Sequence, residues 1–256
     1  MAGRARPLGG LAANANGETV KHQYFGDVND YRKYGLLRAL QSSGDLALLV
    51  AWMATPDDGS TDGNLRRYLE DESRWAAHDP ELYDFLRTRL NGSRRPDLSM
   101  IEASEILPRA LYYSATVPDD VGGRRVWSAG LLESARDADL VFLDPDNGLE
   151  IASKPMGRKG SSKYLAWAEA DALATAGKSL VIYQHFTREP RDQFICRIGG
   201  FLREHTGAAF LEAFRTPHVL FLVAGQRRHE QVLRRALSQV ERNWAGQLDA
   251  VGLSSG

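Results

Sequence analysis

Cysteine is almost missing from this 256-residue chain, Cys196 being the single example. One cysteine can build neither an internal disulfide nor a cysteine-ligated metal cluster. It is expected to pack as a small apolar residue on a helix after Pro190, and a reducing cytoplasm suits it. Long apolar runs are also missing. None approaches the roughly 18–20 residues of a membrane helix, so no membrane partner is expected. Arg4 and Arg6 precede Leu8–Ala13, a stretch too short and glycine-rich for a signal peptide, and residues 1–19 read as a flexible tail. Charge of one sign is lacking too. Thirty-two Lys and Arg face 33 Asp and Glu, for a net charge of -1, so no global basicity points to nucleic acid or an anionic membrane. There is no G-x-G-x-x-G and no Walker A sequence, which removes the best support for nicotinamide oxidoreductases and P-loop kinases.

What is present is ordinary globular material, 43% hydrophobic and 25% charged, long enough for one domain with a full core. Residues 20–256 read as a single α/β domain with a helical insertion near 64–95. Leu46–Met53, Leu140–Leu143 and Ser179–Gln184 are apolar runs bounded by turn residues, the pattern of strands buried on both faces of a parallel sheet. Ser99–Ala103 and Leu111–Ala115 read as short strands. Helices are predicted over Val28 or Asn29 to Gln41, Leu65–Trp75, Pro80–Leu90, Val126–Ala135, Tyr164–Ala176, Arg191–His205 and Glu230–Trp244. Ala208–Arg215 and Val219–Ala224 flank Thr216-Pro217-His218 as an antiparallel pair. Helices alternating with apolar strands imply parallel crossovers.

Chemistry-bearing residues gather where strands end, and in open α/β sheets ligands bind outside the carboxyl ends of strands. After Leu143 come Asp144, Pro145, Asp146, Asn147, Gly148 and Glu150. Pro145 stops the ladder, and the acids and amide can hold an amine, act as a base or ligate a hard cation. After Met53 a loop carries Thr55, Asp57, Asp58, Asp62 and Asn64, suited to ribose hydroxyls, an amino group or a metal, or simply solvated. Gly157–Tyr164, with Arg158, Lys159, Ser162 and Lys163, reads either as a phosphate cradle before a helix or as an exposed basic loop. His185, at a third strand end, is an acid or base near neutral pH, or structural. Residues 150–256 carry 15 Lys and Arg against 10 Asp and Glu, a hint of an anionic substrate beside a solvated arginine-rich surface. In the stretch His22–Tyr34, Tyr24, Phe25, Tyr31 and Tyr34 are suited to stacking on a base or to covering a sheet edge. Asp27, Asn29 and Asp30 are good helix caps.

A strand followed by an acidic loop, a later strand ending in Asp144-Pro145, another strand and a terminal antiparallel pair together resemble a class I S-adenosylmethionine-dependent methyltransferase. Asp144-Pro145 falls where amino-methylating members carry Asp/Asn-Pro-Pro-aromatic. The second Pro and the aromatic are here Asp146 and Asn147, and the glycine-rich first motif is replaced by Trp52–Gly59. The Asp27–Tyr34 stretch is distantly similar to the N-terminal segment of the 23S ribosomal RNA adenine-N6 methyltransferase family. The chain also resembles, over most of residues 22–240, a group of uncharacterised bacterial proteins sharing Tyr24-Phe25-Gly26-Asp27 and Asp144-Pro145-Asp146-Asn147-Gly148. The resemblance implies a Rossmann-like, mostly parallel sheet with helices on both faces and a C-terminal antiparallel hairpin. It implies methyl transfer from S-adenosylmethionine to a nucleobase, nucleotide or other amine. Asp144 would position or deprotonate the nucleophile with Asp146, Asn147 or His185 assisting. Trp52, Thr55, Asp57, Asp58 and Glu102 would hold the cofactor, with Glu102 at the end of a second strand. Tyr24, Asp27, Tyr31, Lys33, Arg158, Lys159, Ser162 and Lys163 would meet the substrate. Two other readings stay open. One is a nuclease or phosphohydrolase in which Asp57, Asp58, Asp144, Asp146 and Glu150 hold Mg²⁺ or Mn²⁺ while Lys163 and His185 serve phosphate. The other is a non-catalytic nucleotide-binding protein on the same fold.

Overall fold

The computed structural model describes residues 25–42, 45–55, 65–93 and 97–253. Tyr24, Asp57, Asp58, Asp62 and Asn64 lie outside the described residues. In chain order the elements are α1 (Val28–Gln41), β1 (Leu48–Ala51), α2 (Glu72–Trp75), α3 (Pro80–Gly92), α4 (Ser99–Glu102), β2 (Leu111–Tyr113), α5 (Val121–Ser134), β3 (Leu140–Leu143), β4 (Gly148–Leu149), β5 (Tyr164–Leu165), α6 (Trp167–Thr175), β6 (Ser179–His185), α7 (Arg191–Thr206), β7 (Phe210–Arg215), β8 (Val219–Gly225), α8 (Glu230–Asn243) and β9 (Asp249–Val251).

Seven strands form one sheet in the order β2-β1-β3-β6-β8-β7-β9, and β4 pairs with β5 in a two-stranded ribbon. β2, β1, β3 and β6 pair in parallel, whereas β8 is antiparallel to both β6 and β7, and β9 is antiparallel to β7. Five of the seven strands therefore run one way, and the predicted mostly parallel, Rossmann-like α/β sheet with a closing antiparallel hairpin is what the chain forms.

Residue alternation divides the core. Leu140 and Phe142 of β3 face a cluster that contains Leu36, Leu37 and Leu40 of α1, Tyr83 of α3 and Leu237 of α8. Val141 and Leu143 face the other cluster, with Trp127 of α5, Leu173 of α6 and Phe194 of α7. Helices thus cover both faces. Helix α1 is buried on more than one side, because α8 crosses it at Gly35. A Cβ there would lie 1.9 Å from Cζ2 of Trp244, so only glycine admits this crossing. Among the described residues no helix is long and apolar enough to cross a membrane.

Several local expectations are corrected. Ser99–Ala103 is not a strand. Asp97 accepts the Ser99 N–H at 2.9 Å and the Ala103 N–H bonds to the Ser99 carbonyl, closing the single turn of α4 with only Ile101 buried. The predicted helix Leu65–Trp75 splits into a 3-10 turn, Arg67–Glu70, and α2, because Asp71 leaves helical geometry and caps Arg74. The segment Tyr164–Leu165 pairs with Gly148–Leu149 as β5, and the helix starts at Trp167. Cys196 is exposed on the outer side of α7 instead of packing inward. Strand β9 and the β4–β5 ribbon were not anticipated.

A buried ion pair fastens the β4–β5 ribbon to α5 and α6. Arg124 donates to Glu169 from Nε at 2.6 Å and from Nη2 at 2.8 Å, and Nη2 also donates to the Tyr164 carbonyl at 2.6 Å. Glu169 in turn accepts the Ala166 N–H at 3.0 Å. Arg124→Met leaves Glu169 as an uncompensated buried charge and should cost about 3–5 kcal/mol. Arg124→Met with Glu169→Leu should recover more than half of that loss, as measured by urea denaturation.

Candidate active site

The chain leaves β1 toward β2 on one side of the sheet, and leaves β3 toward β6 on the other. The carboxyl ends of β1 and β3 therefore flank the point where the winding reverses, and there an open α/β sheet forms its ligand crevice. Trp52, Met53, Ala54 and Thr55 leave β1 at this point, and Asp144, Pro145, Asp146 and Asn147 leave β3. Met53 has φ +49°, a left-handed conformation that a side-chain-bearing residue adopts at a cost of about 1–3 kcal/mol and that clusters at functional sites. Across the crevice, Thr55 Oγ1 donates to Asp146 Oδ2 at 2.9 Å.

Helix α1 delivers the third side of the site. Asp27 caps it, accepting the N–H groups of Asn29 and Asp30 at 2.8 and 2.9 Å. Two turns on, Lys33 places Nζ 2.7 Å from Asp144 Oδ2 and 3.1 Å from Asp30 Oδ1. The same ammonium lies 4.7 Å from the Tyr183 ring centre. The Lys33 side chain is 9% exposed and that of Asp144 15%, so the pair sits at the floor of the crevice. Asp30 spends its other oxygen on the Gly26 N–H at 2.9 Å.

Asp30 and Asp144 share one buried ammonium, with Asp27 beside them, and the titration of the site follows. Burial raises the Asp144 carboxyl to about 6 against the opposing pull of Lys33. Burial and the neighbouring Asp30 raise Asp27 to about 7. Burial alone would discharge Lys33, but Asp144 and Asp30 overcome it and hold the ammonium well above its ordinary value. Burial and then the charge of Lys33 push His185 below the ordinary imidazole value, so it is neutral at pH 7. The result is a partly exposed carboxylate tuned toward neutrality beside a fixed cation and a neutral imidazole, an arrangement suited to accepting a proton from a bound donor.

The other sequence candidates separate into groups. Trp52 and Glu102 meet at the β1 and β2 ends. Glu102 Oε1 accepts from Trp52 Nε1 at 2.7 Å and from Ser114 Oγ at 2.8 Å. Glu102 belongs to the α4 turn and not to a strand, yet it reaches the predicted strand end from the side. Tyr31 lies in the core, its ring 5.2 Å from Tyr68 and 4.9 Å from Trp244, with its hydroxyl bonded to the Trp75 carbonyl. It does not face the crevice. Arg158 and Lys159 are exposed. The backbone amides of their loop are already engaged, because Asp119 accepts the Gly160 and Ser162 N–H groups, both at 2.7 Å. Burial opposes ionisation of Asp119, but these two amides hold its carboxyl below the usual range. Among the described residues no three His, Cys, Asp or Glu side chains converge as metal ligands.

Asp30 and Tyr183 belong to the site but were not singled out for it. Asp27, Asp30 and Lys33 recur every third residue, the spacing that puts side chains on one helix face, and this spacing was the available signal for Asp30. Tyr183 lies two residues before His185 on the strand-end segment Tyr183–Phe186, and the strand alternation that puts both on one face was its signal. A further polar group, Ser179 with Oγ 2.9 Å from His229 Nδ1, and Asp139 3.3 Å from His229 Nε2, sits at the amino ends of β3 and β6. Ser179 is fully buried there, away from the crevice, and fastens the loop before α8 to the sheet.

Two measurements check this electrostatic account. Asp27 and Asp144 titrate near 7 and 6 in the folded protein but near 4 in an unfolded chain. The stability contributed by their protonated forms is complete below about pH 4 and is lost as pH rises through 6 and 7. Asp27→Asn keeps a capping oxygen and removes one titration. The wild type should therefore lose about 1–3 kcal/mol relative to Asp27→Asn between pH 5 and pH 8. Lys33→Met strands two carboxylates and should cost about 3–5 kcal/mol at pH 8, and less at pH 5, where Asp144 is protonated. Urea titrations at the two pH values read both effects. No protein-family model matches the chain, and no curated protein matches it significantly.

Proposed function

We propose that this chain is an S-adenosylmethionine-dependent methyltransferase-like enzyme acting on an amine-bearing nucleobase, nucleotide or related molecule. The observation that carries the reading is Asp144. It stands outside the end of β3 at the reversal of winding, pinned through Oδ2 by Lys33 with its carboxyl raised to about 6. The Asp144-Pro145 resemblance supports it from the sequence, and the Rossmann-like sheet supports it from the fold.

The residues at the β1 and β2 ends suit the cofactor. Glu102 uses only Oε1 on Trp52 and Ser114, which leaves Oε2 for hydroxyl donors such as a ribose diol. Trp52 itself lies in the core, its ring stacked on Tyr112, and its part is to orient Glu102 through the indole N–H. S-adenosylmethionine, when bound, supplies an electrophilic methyl group. The chain's own task is to present an amine with its lone pair aimed correctly, and positioning of that kind supplies much of a two-reactant acceleration. Asp144 Oδ1 accepts an N–H of the amine and orients it. Lys33 keeps Asp144 ionised at neutral pH and fixes its rotamer. The proton that the amine loses on methylation, with S-adenosylhomocysteine as the other product, would pass to Asp144 or to the neutral His185.

A metal-dependent hydrolase draws on the same acids, but Asp144 is committed to Lys33 at 2.7 Å and Asp146 to Thr55 at 2.9 Å. The described residues therefore favour an amine-orienting role. Calorimetric titration with S-adenosylmethionine and S-adenosylhomocysteine, each with and without Mg²⁺, is the direct check. Micromolar, metal-independent binding is expected, weakened about tenfold by Glu102→Ala. Asp144→Asn should retain that binding and lower methyl transfer to a mixed nucleotide or RNA pool by about 10²–10⁴-fold. Failure of both ligands to bind, or Mn²⁺-dependent cleavage of nucleotides that Asp144→Asn abolishes, overturns the proposal.

A further inference from the structure

The aromatic residues of the N-terminal stretch do not offer a stacking surface, since Phe25, Tyr31 and Tyr34 are all in the core. A different aromatic site lies on the opposite face of the sheet. Between the β4–β5 ribbon and α7 is a cavity of about 620 Å³, walled by Trp167, Phe186, Phe194 and Phe201, with Asn147 and Glu150 contributing polar groups. Its volume falls in the range of about 300–1,000 Å³ typical of small-molecule sites. From its position, its walls and its polar groups, we infer that this cavity is the subsite for a planar nucleobase carrying an exocyclic amine.

The walls are set before any ligand arrives. Trp167 is stacked on His205 at 4.6 Å and meets Phe201 edge-on, while its indole N–H is held by the Glu150 carbonyl at 3.1 Å. Phe186 meets Phe194 edge-on at 5.6 Å. Rigid aromatic walls favour a flat ring, because every base presents a π-face. Among the described residues, neither the Asn147 amide nor the Glu150 carboxylate has a hydrogen-bond partner, although both line the cavity. A carboxylate accepts from amino and imino groups of a base, and an amide both donates and accepts on a base edge.

Charge selects the same class. The cation at the rim, Arg197, is committed to Glu189 at 2.6 Å and lies over the Phe194 and Phe201 rings. A phosphate inside would meet Glu150 while the rim guanidinium is already paired, so the ligand enters ring first with its anionic part outside. One side chain links the cavity to the groups around Lys33. His185 lines it, and the His185 ring lies 5.1 Å from Tyr183, beneath Lys33. Asn147 follows Asp144 by three residues. The subsite deepens the methyltransferase reading by naming its acceptor, and it rests on that reading only for what happens to the amine.

The test is calorimetry on the full chain with cytidine, adenosine and guanosine, with uridine as the base lacking an exocyclic amine and choline as an aliphatic cation. Cytidine should bind at least tenfold more tightly than uridine. Trp167→Ala and Glu150→Gln should each weaken cytidine or purine nucleoside binding at least tenfold while S-adenosylmethionine binding stays unchanged. The inference is overturned if no nucleoside binds, if binding ignores both substitutions, or if choline binds as well as the nucleosides. Nucleoside binding without cofactor binding keeps the subsite and removes the methyltransferase reading. Cofactor binding without nucleoside binding does the reverse.

Discussion

One buried ammonium organises the functional end of this protein. Lys33 sits where α1 crosses the carboxyl end of the sheet, between Asp30 of its own helix and Asp144 just beyond β3, 111 residues away in the chain. A charge removed from water is tolerated only when it is paired with good geometry, so the position of α1 and the rotamer of Asp144 are determined together. The cap at Asp27, the Gly26 amide on Asp30 and the Tyr183 ring under the ammonium are all arranged around the same cation. Burial raises the proton affinity of Asp144 and Asp27, Asp30 adds to it, and Lys33 opposes it. The chemistry of the site and the placement of the first helix thus share one cause.

The two faces of the sheet differ in character. On the α1–α3–α8 side, Tyr31, Tyr68, Trp75, Tyr83 and Trp244 interlock with centroids 4.9–6.4 Å apart. Rings packed at that distance have one arrangement, and Lys33 is presented from a rigid backing. On the other side, Val141, Leu143 and Ile182 meet mostly aliphatic partners from α5, α6 and α7, with Trp127 and Phe194 among them, and the ribbon β4–β5 stands off α7 to leave room. Gly148, at φ +109°, lies so close to Gln184 that a Cβ would come within 2.3 Å of its amide nitrogen. Gln184 in return accepts the Leu149 N–H at 2.7 Å. That contact joins the loop carrying Asp146 and Asn147 to the end of β6.

Much of the framework was legible in the sequence. Leu140–Leu143 and the apolar stretch within Ser179–Gln184 run without alternation because both their faces are covered, as in a buried parallel sheet. Asp144 could be located because Pro145 ends a ladder. What stayed hidden was set by distant partners. Tyr31 has the composition of a stacking residue, and only the arrival of α8 and Trp244 turns it into core. Ser99–Ala103 looks apolar enough for a strand, but Asp97 gives its amides a local partner and winds it into a turn. Asp30, Lys33 and Asp144 are three ordinary charged residues until α1 is laid across the sheet. The basic loop showed its cations clearly, whereas the carboxylate that occupies its amides comes from Asp119, 41 residues earlier.

That carboxylate has an evolutionary consequence. By inserting Asp119 into the amides of Gly160 and Ser162, the protein carries a permanent imitation of a bound anion, and the loop beneath Arg158, Lys159 and Lys163 is folded around it without a ligand. The two amides are held in an anion-accepting geometry by the folded chain itself. Loss of the Asp119 side chain would uncover two neighbouring amides, on a loop that also carries Arg158, Lys159 and Lys163, in a single mutational step.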